Sequence, residues 1–251
     1  MITFKQRLRN DEALLGLWQA LANNYTAEIF ARCGFDWLLF DMEHAPNTMQ
    51  TMLSQLQAVE PYDVEPIVRI ATGEPVAIKQ FLDMGFRTIL VPMVDTAEHA
   101  TSMVQACRYP PHGIRGVSSA TARGAAFGAQ VDYLRNADSQ VTLIVQIESR
   151  AGVENCEAIA QTDGVDAIFV GPNDLAASLG HAGHSEHEEV QQAIDRVKAM
   201  ADKIGKPIGI FAQNEEDARR RIALGYQFIS VCTDIGILLS GAKGLLDGLR
   251  D

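Results

Sequence analysis

Short apolar runs recur along the chain, and several of them follow an amphipathic stretch that ends in glycine. Five runs begin at or soon after such a glycine and cover residues 35–40, 86–93, 165–170, 207–211 and 226–231. Glycine at the end of a helix adopts the left-handed conformation that ends it. The runs lack alternation with polar residues, which is typical of parallel strands covered on both faces.

Three further apolar runs, at residues 14–18, 66–70 and 141–147, fill the gaps and bring the number of predicted strands to eight. Each strand precedes a helical segment, at an average of about 31 residues per unit, the size of a βα repeat. The pattern predicts an α/β protein with one domain over residues 1–251, a (β/α)8 TIM barrel. No GxGxxG follows the first strand and no Walker motif occurs, so a nucleotide-binding doubly wound sheet loses its main support.

Composition narrows the classes of function. With 21 Lys+Arg against 32 Asp+Glu, the net charge is −11, which argues against a nucleic-acid partner. No apolar run is long enough to span a membrane, and residues 1–5 lack the apolar region of a signal peptide. The four cysteines are far apart, without a CxxC motif, and are expected to be reduced core residues. We therefore expect a cytoplasmic protein.

Polar and ionisable residues appear where the apolar runs stop. In chain order they are Asp41, Glu43 and His44, then Arg69, then Gln146 and Glu148, then Asn173 and Asp174. A barrel gathers its chemistry at the carboxyl ends of its strands. The sequence therefore predicts a functional cleft at that end.

Glu148 and Asp174 end neighbouring predicted strands, so their carboxylates can converge on one cation. Two carboxylates neutralise a divalent charge and leave positions for water and substrate oxygens, as Mg²⁺ or Mn²⁺ requires. Ordinary loop salt bridges would explain the same two residues, and their positions alone do not decide between the two interpretations.

His44 and Arg69 are candidates for the chemical step. Histidine can move a proton at neutral pH, and either Asp41 or Glu43 could orient its imidazole; a surface or capping histidine is the alternative. Arg69 lies in an otherwise apolar strand, where a fixed cation could bind a substrate carboxylate or stabilise an enolate oxygen. A structural ion pair with an acid such as Asp83 is the other possibility for Arg69.

Two mechanisms find less support. A Schiff-base enzyme needs a lysine in the barrel mouth, whereas the lysines fall in helical patterns, in the amino-terminal segment or before a strand. His181, His184 and His187 have a spacing that could suggest zinc. However, Ser185 and Glu188 match a capping box that would begin the next helix, and we favour that interpretation.

Six phrases, at residues 34–47, 68–69, 90–94, 108–116, 145–148 and 169–175, together resemble the HpcH/HpaI family of metal-dependent (class II) pyruvate aldolases. The likeness runs from the first strand to the last helix. It is closest to the branch that includes 4-hydroxy-2-oxoheptanedioate and 2-dehydro-3-deoxyglucarate aldolases, rather than to the citrate lyase β-subunit relatives.

The resemblance implies roles at matching positions. Glu148 and Asp174 would hold the metal, Arg69 would stabilise the enolate oxygen, and His44 would be the base, oriented by Asp41. Substrate contacts would come from the residues Gln146, Gly171, Pro172, Asn173 and Asp174, with Phe211 and Ala212 shaping the pocket for the aldehyde.

The implied reaction is reversible cleavage of a 4-hydroxy-2-oxo acid into pyruvate, or a related 2-oxo acid, and an aldehyde, through a metal-stabilised enolate. The implied cofactor is Mg²⁺ or Mn²⁺, with Co²⁺ or Zn²⁺ possible. The family also implies a place in aromatic catabolism and a homo-hexamer, a trimer of dimers with the last helix exchanged. A lyase acting on a CoA thioester and a catalytically silent barrel that binds 2-oxo acids are the rival functions.

Overall fold

The computed structural model describes residues 3–10 and 12–250. Within them, eight parallel strands pair in sequence order and close into a barrel, which confirms the predicted fold. The strands are β1 Leu14–Gln19, β2 Trp37–Asp41, β3 Glu65–Arg69, β4 Thr88–Val91, β5 Thr142–Ile147, β6 Ala167–Val170, β7 Ile208–Phe211 and β8 Phe228–Thr233. The signal-peptide prediction rests partly on Met1 and Ile2, which lie outside the described residues.

Helices lie between the strands on the outside of the barrel, and two more, the first and the last, precede β1 and follow β8. They are α1 Phe4–Arg7, α2 Asn24–Ala31, α3 Met49–Val59, α4 Pro75–Met84, α5 Ala97–Cys107, α6 Tyr133–Gln140, α7 Arg150–Glu154, α8 Cys156–Gln161, α9 Pro172–Ser178, α10 Glu188–Ile204, α11 Glu215–Ala223 and α12 Asp234–Arg250. A 3₁₀ segment, Arg123–Gly128, lies between α5 and α6.

Local sequence explains where the helices begin and end. Gly34, Gly85, Gly164, Gly205 and Gly225 all have φ between 67° and 115°, which confirms the predicted left-handed turns before the strands. The capping box predicted at Ser185 and Glu188 is wrong. Helix α10 begins at Glu188 with His187 as its N-cap, whose side chain accepts from the backbone N–H of Glu189.

Apolar side chains pack on both faces of the barrel wall. One cluster fills the interior and includes Trp18, Trp37, Phe169 and Phe228, while a larger one lies between the strands and the helices. A Cβ at Gly16 would lie 1.9 Å from the Trp37 ring, so glycine lets this indole fill the interior. Because apolar side chains cover both faces of the strands, the strand sequences are unbroken apolar runs.

The two ends of the barrel differ. Phe4 of α1 is buried at the amino-terminal end and meets Phe228 edge to face. At the other end, the buried Asp234 accepts hydrogen bonds from the backbone N–H groups of Ala20 and Leu21, at 2.9 and 3.0 Å. This carboxylate ties the loop after β1 to the start of α12. The polar strand ends lie at this same, carboxyl-terminal end of the barrel wall.

Two further observations bear on the expected environment. In the part of the chain that the structure covers, none of the helices is both long and apolar enough to cross a membrane. All four cysteines are free thiols, but the prediction that they are core residues is wrong for Cys33, which is exposed at the end of α2. The cytoplasmic location itself stays a prediction.

Candidate active site

Arg69, at the carboxyl end of β3, is held by two acidic residues, one at the end of β2 and one just after it. Asp41 and Arg69 are opposite each other in the register of these strands. The Arg69 Nε and Nη2 atoms donate to the two Asp41 carboxylate oxygens at 2.9 and 2.7 Å, and Nη1 lies 3.1 Å from Glu43 Oε2. Burial disfavours the charged form of Asp41, but the hydrogen bonds and charge of Arg69 outweigh it and lower the pKa of this carboxyl. The cation is therefore fixed in position and direction.

The alternative prediction, in which Arg69 pairs with Asp83, is wrong. The carboxylate of Asp83 instead accepts from Arg115 Nη2 at 2.8 Å. Arg69 faces the barrel interior, where its Cζ atom lies 4.8 Å from the centre of the Trp18 ring. This guanidinium thus lies inside the barrel beside Trp18, and its functional role stays a prediction.

His44 lies beyond β2, and most of its side chain is exposed. The nearest carboxylate is that of Glu43, with Oε1 3.9 Å from the imidazole Nε2. Asp41 instead directs its oxygens at Arg69 and at backbone N–H groups of the same loop, including that of Glu43 at 2.9 Å. The role of His44 as base, and that of Asp41 in orienting it, stay predictions.

Glu148 follows β5 and is almost completely buried. Its Oε1 accepts from the backbone N–H of Met93 at 2.8 Å, and its Oε2 accepts from the side-chain amide of Gln146. Burial raises the pKa of Glu148 to about 7, and the neighbouring charge of Asp174 acts in the same direction. A nearby cation would oppose both effects and lower the pKa of Glu148 again.

Asp174 lies in the first turn of α9, after β6. Asp174 and Asn173 are exposed there, while Pro172 is buried. At Gly171 an added Cβ would lie 2.5 Å from Glu148 Oε2 and 2.8 Å from Gln146 Nε2. The glycine is therefore needed to let the turn approach these two side chains, whereas the role of the turn residues in binding stays a prediction.

These residues fit a hard divalent cation. Glu148 and Asp174 supply two carboxylates, and the buried Gln146 Oε1 atom has no hydrogen-bond partner among the described residues. Oxygen donors of this kind suit Mg²⁺ or Mn²⁺. Glu148 and Gln146 would present their oxygens from the wall of the barrel, and Asp174 would do so from the turn above it.

The far side of the mouth is aromatic. Phe211, at the end of β7, meets Trp18 edge to face at a centroid distance of 5.5 Å. Ala212 is buried, and its N–H donates to the Ser230 carbonyl at 2.9 Å. Phe211 thus borders the same indole that lies beside Arg69.

Two residues of the site were missed by sequence reasoning. Trp18 is an apolar residue within an apolar strand, and nothing in its local pattern distinguishes it from the core. Met93 donates its backbone N–H to Glu148. With a φ of 52°, Met93 adopts a left-handed conformation although it is not a glycine. A main-chain donor carries no residue-type signal.

A (β/α)8 barrel with a buried arginine–carboxylate pair facing an acidic, oxygen-rich wall is an architecture suited to enzymes that stabilise an oxyanion. The profile of the HpcH/HpaI aldolase/citrate lyase family matches residues 14–240, and the chain belongs to this family. It is therefore a carbon–carbon lyase, an aldolase that cleaves keto acids.

Several relatives cover nearly the whole chain. The hydroxypyruvate/pyruvate aldolase of Delftia acidovorans is 51% identical over 98% of this chain and 92% of its own length. The 5-keto-4-deoxy-D-glucarate aldolase of Klebsiella pneumoniae is 47% identical over 98% of this chain and 96% of its own. The crystal structure of a family member from Burkholderia cenocepacia covers 100% of both chains, with 44% identity and a TM-score of 0.97.

Proposed function

We propose that this aldolase cleaves 4-hydroxy-2-oxo acids, such as 4-hydroxy-2-oxoheptanedioate, reversibly into a 2-oxo acid and an aldehyde. The 2-oxo acid is pyruvate or a close analogue, and the names of the relatives make hydroxypyruvate the first analogue to test. The observation that carries the proposal is the Arg69–Asp41 pair, which directs a fixed cation into a mouth whose other wall holds Gln146 and Glu148.

Arg69 has the geometry to stabilise the charge that develops on the C2 oxygen during cleavage. Asp41 takes up two of the five guanidinium N–H groups and Glu43 lies beside Nη1 as an ion-pair partner, so the remaining N–H groups can donate to a substrate oxygen. Because the guanidinium is already held, it needs little reorganisation as charge develops. Trp18 limits access of water to the same group.

Glu148, Asp174 and Gln146 would hold the divalent ion, which when bound supplies Lewis-acid stabilisation of that charge. The Gly171–Asp174 turn presents backbone N–H groups at the start of α9, where a substrate carboxylate is stabilised. Asn173 is exposed on this turn and is proposed to contact the substrate. Phe211 and Ala212 border the space in which the aldehyde part would lie.

His44 is proposed to hold and move the proton, between the C4 hydroxyl group and solvent during cleavage and at the pyruvate methyl group in reverse. Its exposure allows exchange with water, and Glu43 lies beside it. If this is correct, His44→Ala slows solvent exchange of the methyl protons of pyruvate at least tenfold, as NMR would detect. An unchanged exchange rate would remove His44 as the base.

The deciding experiment measures pyruvate release from racemic 4-hydroxy-2-oxoheptanedioate and 4-hydroxy-2-oxopentanoate. The enzyme is stripped with chelator and assayed with and without Mn²⁺ or Mg²⁺. Activity that disappears and returns with metal supports the proposal. Activity indifferent to chelator would overturn the ion site at Glu148 and Asp174.

The same assay separates the rivals. A silent 2-oxo-acid-binding barrel would bind pyruvate but release none from either substrate. A lyase specific for CoA thioesters would be inactive on the free acids and active on a malyl or citramalyl thioester. Either result would overturn the substrate class proposed here.

We further propose that the chain assembles into a homo-hexamer, as the resemblance implies, by exchange of α12. This helix contacts its own barrel mainly at β1 and β8, and its apolar residues Ile235, Leu238, Leu239, Leu245, Leu246 and Leu249 are exposed. A second copy of the chain would cover this face. Light scattering should give six times 27.4 kDa, and L238E/L245E should lower that mass; a monomeric wild-type chain would overturn the proposal.

A further inference from the structure

A cluster of two histidines and one glutamate lies outside the mouth, in the loop between α9 and α10. His181 and His187 stack with their ring centroids 3.5 Å apart, and His181 Nε2 lies 2.8 Å from Glu189 Oε2. One potential ligand atom from each of these residues lies within 4.8 Å of the other two. These three side chains come from nine consecutive residues, and capping of α10 does not by itself explain why two rings and a carboxylate meet here.

We propose that His181, His187 and Glu189 form a second metal site, for a borderline divalent cation such as Zn²⁺ or Co²⁺. Two imidazoles and a carboxylate are a donor set typical of zinc, with the fourth position left to water. Ligand atoms around tetrahedral zinc are about 3.4 Å apart, and the two imidazoles, which now stack in nearly parallel planes, would have to rotate out of the stack to point both lone pairs at one ion. Hard Mg²⁺ prefers oxygen donors and is not expected to bind here.

The surroundings favour a cation at this place. The other oxygen of Glu189 is 3.2 Å from Arg150 Nη2, which holds the carboxylate in place as an outer partner. Glu189 thus has contacts with His181 through one oxygen and with Arg150 through the other. Glu186 and Glu188 add negative charge nearby in sequence.

One contact opposes binding. The N–H of Glu189 now donates to His187 Nδ1 at 3.2 Å, and an ion taking that lone pair would replace this helix cap. The positive end of the helix dipole at this N-terminus also disfavours a cation. Ligation by two imidazoles and a carboxylate exceeds both costs, since the released N–H is at an exposed helix end where water can accept from it.

The bound ion would fasten the loop at residues 180–187 to the start of α10. Gly180 and Gly183, with φ of 91° and 79°, allow the loop to fold back so that His181 reaches His187. This site is separate from the ion site proposed in the mouth, and neither proposal depends on the other.

The test uses an untagged chain that carries Glu148→Gln and Asp174→Asn, so that the mouth cannot compete for metal. Co²⁺ is titrated while the visible absorption of four-coordinate cobalt is recorded, and Zn²⁺ binding is measured by calorimetry. We expect one ion per chain and a rise in Tm with Zn²⁺, because the ion binds only the folded loop. Mg²⁺ should produce neither effect.

Variants assign the ligands. His181→Gln and His187→Asn should each weaken Zn²⁺ binding at least tenfold, and asparagine keeps an N-cap acceptor for α10. His184→Gln, in the same loop but outside the cluster, is the matched control and should bind like its parent. Absence of a bound ion in the parent, or equal loss in the control, would overturn the proposal; Tm without metal verifies folding.

Discussion

The guanidinium of Arg69 lies against the face of Trp18, with Cζ 4.8 Å from the ring centre, while its edge binds Asp41. The indole and the carboxylate together fix both the plane and the direction of the cation. A cation–π contact at a desolvated position contributes about 2 kcal/mol or more. Trp18 is therefore a positioning residue for Arg69.

Replacing Trp18 tests that relationship. Trp18→Leu should lower kcat/KM for cleavage about tenfold, because the guanidinium loses one of the two contacts that hold it. Trp18→Phe keeps an aromatic face and should recover most of the activity. Steady-state kinetics with pyruvate detection measures both, and equal losses in the two variants would show that size rather than the aromatic face is what matters.

Arg69→Lys separates charge from geometry. Lysine keeps a positive charge but cannot bind Asp41 through two parallel N–H groups. We expect kcat/KM to fall by about 10²–10³, with Mn²⁺ affinity within about twofold of the wild type. Arg69→Ala is a poorer test, since it leaves Asp41 buried without its partner and costs about 3–5 kcal/mol of stability. A loss of metal affinity in Arg69→Lys would contradict the assignment.

Glu148→Gln and Asp174→Asn should each lower Mn²⁺ affinity at least a hundredfold and remove turnover with it, because each takes away an anionic oxygen donor. Calorimetry gives the affinity and the pyruvate assay gives the turnover. Asn173→Ala, in the same turn, is the control and should bind Mn²⁺ normally. Normal metal binding in either acidic variant would exclude that residue as a ligand.

The raised pKa of Glu148 predicts how metal-free stability depends on pH. A carboxyl whose pKa is about 7 when folded and 4.5 when unfolded stabilises the fold below about pH 4.5, and this contribution is lost as pH rises through 7. The loss attributable to Glu148 is up to about 3 kcal/mol.

Urea unfolding with chelator at about pH 5 and about pH 8 measures this loss. Glu148→Gln should abolish most of the dependence, since its amide does not titrate. Saturating Mn²⁺ should oppose the loss in the wild type, because the ion binds the ionised carboxylate. If the unfolding free energies of wild type and Glu148→Gln change equally with pH, the raised pKa is not located at Glu148.

Gly171→Ala tests the close approach of the α9 turn to the wall. The new methyl group would meet Glu148 Oε2 and Gln146 Nε2, so the turn must move or the side chains must shift. We expect a loss of about 1–3 kcal/mol in stability and weaker Mn²⁺ binding. Gly116→Ala, whose Cβ would meet only Lys79 Cδ at 3.6 Å, should change neither.

Much of the fold was predictable because the signals were local. Apolar runs and helix-ending glycines located all eight strands to within about two residues. The strand-end residues were also found, since a parallel barrel brings consecutive strand ends to one edge.

The partners of these residues were not predictable. Arg69 binds Asp41 rather than Asp83 because strand register, which the chain pattern does not specify, places Asp41 opposite it. The start of α10 was misplaced because Ser185 lies in the loop, where its carbonyl accepts from Gln191. Which side chains meet depends on packing between distant segments.

Asp234 fixes the position at which the last helix, α12, begins. Its carboxylate is bound to two backbone N–H groups after β1, so α12 leaves the barrel in a direction set by the fold of a single chain. A partner that covers this helix would meet a surface already in its bound shape. Assembly would then cost little conformational entropy. The barrels should fold first and then dock, rather than fold as they bind.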